Sequence, residues 1–81
     1  MIKCDRGGTK IEGTIPETVQ DFINVINAVR VALEDEMSQE DAAEILRQCG
    51  RLAYSMRDKN PEAEAEALSG IMETLLRNGK L

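Results

Sequence analysis

The 81-residue chain sets ten basic against fifteen acidic side chains, and a net charge of −5 repels phosphate backbones and disfavours ordinary nucleic-acid binding. A chain this short must put every element into one core, so a single domain over residues 1–81 is expected. With no His or Trp, one Tyr, one Phe and two Cys, little remains of the equipment that active sites need, and no enzyme is expected.

Leu, Ile, Val and Phe number nineteen, enough to predict a compact fold rather than a disordered chain. Residues 1–13 alternate at period two, with Ile2 and Cys4 before Gly7-Gly8 and Thr9, Ile11 and Gly13 after it, which predicts a β-hairpin. Two short strands are unstable alone. The face of Ile2, Cys4 and Ile11 must therefore lie on helices or extend a partner's sheet.

A first helix is expected over residues 15–36. Thr14-Ile15-Pro16-Glu17 has the spacing of a capping box, with proline in the first turn where its missing N–H does no harm. Val19, Phe22, Ile23, Ile26, Val29 and Leu33 form one apolar stripe, and Val25, Val29 and Ala32 a second beside it. An arc this wide predicts a central helix with several neighbours. Gln20, Asn24, Asn27 and Asp35 mark the wet side, where Val31 is a lone apolar residue.

A second helix is expected over residues 39–58, capped by Ser38, with Ala42, Ile45, Leu46, Cys49, Leu52, Ala53 and Met56 as its core stripe. Asn60-Pro61 opens a third over residues 61–78, which buries Leu68, Ile71, Met72, Leu75 and Leu76 and stops at Asn78-Gly79. Glu62, Glu64 and Glu66 lie where the helix dipole favours acids. Ala63, Ala67, Gly70 and Thr74 make a small-residue strip, read as exposed residues of high helix propensity, with close helix contact as the competing reading. Connections of two to five residues imply antiparallel neighbours. The fold class is α+β, mostly α: a short N-terminal hairpin and three antiparallel helices in a small bundle.

Chemical motifs are sparse. No metal site is expected, because there is no His and the two cysteines stand alone and far apart. The acids Glu34, Asp35, Glu36, Glu40, Asp41 and Glu44 lack calcium-loop spacing and read as a solvated turn, although Glu34 to Glu36 oppose the dipole at a helix C-terminus. Gly7-Gly8 lacks the Lys-Ser/Thr of a phosphate loop. Cys49 reads as a core filler, and both cysteines as free thiols in a reducing compartment. No cofactor is expected. A helix-turn-helix is disfavoured because Glu62, Glu64 and Glu66 would lead the recognition helix into the groove.

Tyr54 points away from the core stripe of the second helix, on a strip with Arg47, Gly50 and Arg51. A lone Tyr flanked by two Arg on small-residue ground has the composition of a binding hot spot. Gly50 weakens its helix unless something approaches the backbone there. Arg47, Gly50, Arg51 and Tyr54 are therefore the candidate protein-interface residues.

The run Met1-Ile2-Lys3-Cys4, a turn, Lys10-Ile11-Glu12-Gly13 and then a capped apolar helix from Thr14 to Leu33 resembles small proteins of unassigned function encoded in prophages and mobile elements of Gram-positive bacteria. The resemblance implies a phage accessory or regulatory role and transfers no catalytic residue.

Apolar runs are only a few residues long and the N-terminus lacks the apolar region of a signal peptide, so a cytoplasmic protein with no membrane partner is expected. The expected function is a non-enzymatic protein–protein interaction or regulatory module. Self-association as a two-fold dimer would offset the thin core of so short a chain, and a further protein partner is unidentified. The alternative is an acidic nucleic-acid-mimicking decoy that occupies the surface of a nucleic-acid-binding protein, resting on residues 34–44 and 62–66.

Overall fold

The computed structural model describes residues 1–80, and it shows the hairpin and three helices in the expected order. Strands β1 (Ile2–Asp5) and β2 (Gly8–Ile11) pair antiparallel, with Ile2 opposite Ile11 and Cys4 opposite Thr9. The turn is held by the Asp5 carboxylate, which accepts a 2.7 Å bond from the Gly7 backbone N–H. Ile2 is half-buried and Ile11 exposed, so the hairpin rests on the first helix through β1.

Helix α1 (Ile15–Glu34) starts where the capping box predicts. The Thr14 hydroxyl accepts from the Glu17 N–H at 3.3 Å, and the Glu17 carboxylate accepts from the Thr14 N–H at 3.4 Å. Helix α2 (Gln39–Arg57) is capped by Ser38, whose hydroxyl accepts from the Asp41 N–H at 3.1 Å. It closes in a Schellman motif: Asn60 N–H bonds to the Ser55 carbonyl at 3.0 Å, and Lys59 takes the left-handed position at φ 53°. Helix α3 (Pro61–Arg77) is capped by Asn60 and ends in the same motif, with Gly79 at φ 69° and a 2.8 Å bond from Lys80 N–H to the Leu75 carbonyl.

The packing departs from the expected stripes. Contact is concentrated between α2 and α3, which meet through small and polar residues: Ala42, Ile45, Gln48 and Ser55 against Ala67 and Thr74, with Gly70 over Gln48. The strip Ala63, Ala67, Gly70 and Thr74 is thus the packed face of α3, not an exposed one. Small side chains let two helix backbones approach closely, and here that approach outweighs the greater area of the leucines. The buried hydroxyls are satisfied within their own helices, Ser55 donating to the Arg51 carbonyl at 2.7 Å and Thr74 to the Gly70 carbonyl at 2.9 Å. No buried side-chain nitrogen or oxygen among the described residues lacks a partner.

Three further expectations are corrected by this arrangement. Cys49, Ala53 and Met56 are exposed, because the face of α2 that meets α3 is rotated toward Gln48 and Ser55. Leu68, Met72 and Leu76 turn outward, for the same reason on α3. Helix α1 is peripheral rather than central: none of its residues is fully buried, and it rests on α2 and β1.

Candidate interaction surface

Arg47, Gly50, Arg51 and Tyr54 recur at spacings of three, one and three along α2, and all four are exposed on one side of it. Arg47 pairs with Glu44 of its own helix. Arg51 donates to the Gln48 side chain at 3.2 Å and reaches Glu66 of α3 at 3.4 Å, so it braces the helix pair. A Cβ added at Gly50 would meet nothing within 4 Å, so no close approach within the chain explains this glycine. Tyr54 is 70% exposed and leaves its ring free.

A larger surface lies on α1. Ile15, Val19, Phe22, Ile26, Val29 and Leu33 alternate at spacings of four and three, the 3.5-residue period of a helix seam. Ile15 is 77% exposed, Phe22 56% and Val19 53%, with Ile23 and Val25 widening the stripe on either side. Helix α3 adds an open, mostly apolar depression lined by Ala65, Leu68, Ser69, Met72, Glu73 and Leu76. Sequence periodicity identified Val19, Phe22, Ile26, Val29 and Leu33 on α1 and Leu68, Met72 and Leu76 on α3 as apolar and assigned them to a core. Ile26 and Leu33 are half-buried, whereas the exposure of Val19, Phe22 and Val29 on α1 and of Leu68, Met72 and Leu76 on α3 had no sequence signal, because a stripe names the side to be covered and not the molecule that covers it.

The charges of α1 are satisfied around this stripe. Asp21 meets the N-terminal ammonium at 2.7 Å, and Arg30 meets Glu34 at 3.0 Å. In the acidic turn, Lys80 binds Glu36, and Asp41 accepts from Arg77 at 2.7 Å and from the Asn78 amide at 2.9 Å. The Asn78 bond, then the Arg77 bond, hold the Asp41 carboxyl below the usual carboxylate range. The hydrogen bond from Lys80, aided by its charge, lowers Glu36 in the same direction. These pairs clasp the α1–α2 turn and the start of α2 to the end of α3, across separations of 36 to 44 residues that no local pattern reveals. Glu34, Glu36, Asp41 and Glu44, four of the six acids singled out in the sequence, are thereby partnered inside the chain.

Among the described residues, no group of three or more His, Cys, Asp or Glu side chains is placed to hold a metal ion, and no helix is long and apolar enough to cross a membrane. Comparison with protein-family models, curated proteins and solved structures gives no match to this chain.

Proposed function

We propose that this chain is a non-enzymatic protein–protein interaction module whose main working surface is the apolar stripe of α1. The observation that carries this reading is the exposure of Ile15, Val19 and Phe22 in one row on a capped helix. Contiguous apolar surface beyond a few hundred Å² on a small domain marks a docking face, and Phe22 supplies the kind of aromatic anchor on which binding energy concentrates. Tyr54, with Gly50 beside it, offers a second and smaller contact patch on α2, while Arg47 and Arg51 orient its rim. The partnered acids of the α1–α2 turn leave little free charge for a basic partner, so the reading rests on apolar area.

Affinity capture with the wild-type chain, Phe22→Gln and Tyr54→Ala tests the assignment. Loss of bound protein with Phe22→Gln, and retention through a rise in salt, is the expected result, since apolar contacts are little screened. Capture unchanged by Phe22→Gln and Tyr54→Ala together refutes it.

A further inference from the structure

We infer that the α1 stripe and the outer face of α3 are covered by a second copy of this chain in a two-fold dimer, an inference that rests on the interaction reading and names its partner. The exposed area is the first reason. A folded monomer of 9.0 kDa is expected to expose about 4,850 Å², whereas this chain exposes 6286 Å². The excess of roughly 1,400 Å² falls within the roughly 1,000–2,500 Å² that each partner loses in an obligate dimer. Shape agrees with area: the radius of gyration is 14.0 Å, against about 11.7 Å for a compact chain of this length.

The second reason is the character of the surface. The stripe has the 3.5-residue period with which one helix seats side by side on another over its whole length. A two-fold axis sets the same patch against itself, so the patch must be self-complementary. An uncharged stripe meets that condition, and a stripe bearing one sign of charge would not. Asp21, Arg30 and Glu34 already have partners within their own chain, and Glu17 is occupied in the helix cap. Two copies of α1 therefore approach without stranding a charge. The net −5 of each copy opposes association at long range, so added salt is expected to hold or strengthen it.

The test is sedimentation equilibrium on the full chain over a concentration series from about 1 to 100 µM, alongside Phe22→Glu, Ile15→Gln and the wet-side control Asn24→Glu. The wild type is expected at twice the 9.0 kDa chain mass, with an unfolding midpoint that rises with chain concentration. Phe22→Glu is expected to weaken association at least tenfold, Ile15→Gln several-fold, and Asn24→Glu not at all. Ile15 is so exposed at the start of α1 that its replacement leaves the single chain intact, which separates lost association from lost folding. A wild type that stays at single-chain mass throughout the series overturns the second-copy assignment. If that monomer still loses a captured protein on Phe22→Gln or Tyr54→Ala, the interaction reading stands without self-association; if capture is unchanged by both, both readings fail.

Discussion

Gly70 of α3 packs directly against the Gln48 side chain of α2, and its replacement by alanine gives a sharp test of the packing. In the interior of an exposed helix, Gly→Ala stabilises by roughly 0.8–1.0 kcal/mol, because glycine loses more backbone freedom on folding. At Gly50, where a Cβ meets nothing within 4 Å, that gain should appear in full. At Gly70 the added Cβ would stand 3.2 Å from both Cγ and Cδ of Gln48. Gln48 is 8% exposed and is held at its amide, donating to Glu44 at 2.7 Å and accepting from Arg51 at 3.2 Å. Swinging it aside sacrifices these bonds at about 0.5–1.5 kcal/mol each, which cancels or reverses the propensity gain. Gly70→Ala alone should therefore be neutral to about 1 kcal/mol destabilising. In a Gln48→Ala background, which lacks Cγ and Cδ, the same change should stabilise by about 1 kcal/mol, a coupling of about 1–2 kcal/mol. Urea denaturation followed by circular dichroism, with chain concentration held constant, measures all corners of this cycle. Equal stabilisation by Gly70→Ala in both backgrounds, matching Gly50→Ala, would show that α2 and α3 do not meet at this distance.

Other expectations follow from the caps and the clasp. Lys59 occupies the left-handed position that ends α2, so Lys59→Gly should stabilise by about 1 kcal/mol, read as a thermal midpoint about 4–8 °C higher; an unchanged midpoint contradicts the strain. Thr14→Ala removes the hydroxyl half of the capping box and should cost about 1 kcal/mol, with amide exchange accelerated first at Glu17 and its neighbours. The Asp41 carboxyl is lowered in the folded chain, so its contribution is present above the unfolded value near about 4 and disappears as pH falls through the folded value. The wild type should lose stability below about pH 5 more steeply than Asp41→Asn, and acid titrations of unfolding that run parallel would exclude this clasp.

The helix boundaries were legible because their signals are local. Thr14 with Glu17, Ser38, and Asn60 before Pro61 each place a start at the observed residue, and the expected ends fall within two residues of Glu34, Arg57 and Arg77. The facing of the helices was not legible. Hydrophobic periodicity ranks sides of a helix by transfer free energy, and on that scale Leu68, Met72 and Leu76 outrank Ala67, Gly70 and Thr74. Close approach reverses the order, since only small residues admit a neighbouring backbone and its Gln48. Arg51 shows the same limit at the candidate site: its exposure on the Tyr54 face was readable from spacing, whereas its reach to Glu66 depends on how α3 returns along α2.

The joint between α2 and α3 is sealed by hydroxyls, a carboxamide and alanine methyls around one larger aliphatic side chain, Ile45. Heat-capacity change on unfolding scales with newly wetted hydrocarbon and is opposed by newly wetted polar groups. A seam of this composition therefore has a flatter thermal response than an all-leucine one, losing less grip on cooling. What fixes the two helices lengthwise is bond geometry at Arg51 and Asp41, which reach Glu66, Arg77 and Asn78 of the α3 segment, so slippage by one turn is resisted by directionality rather than by oiliness.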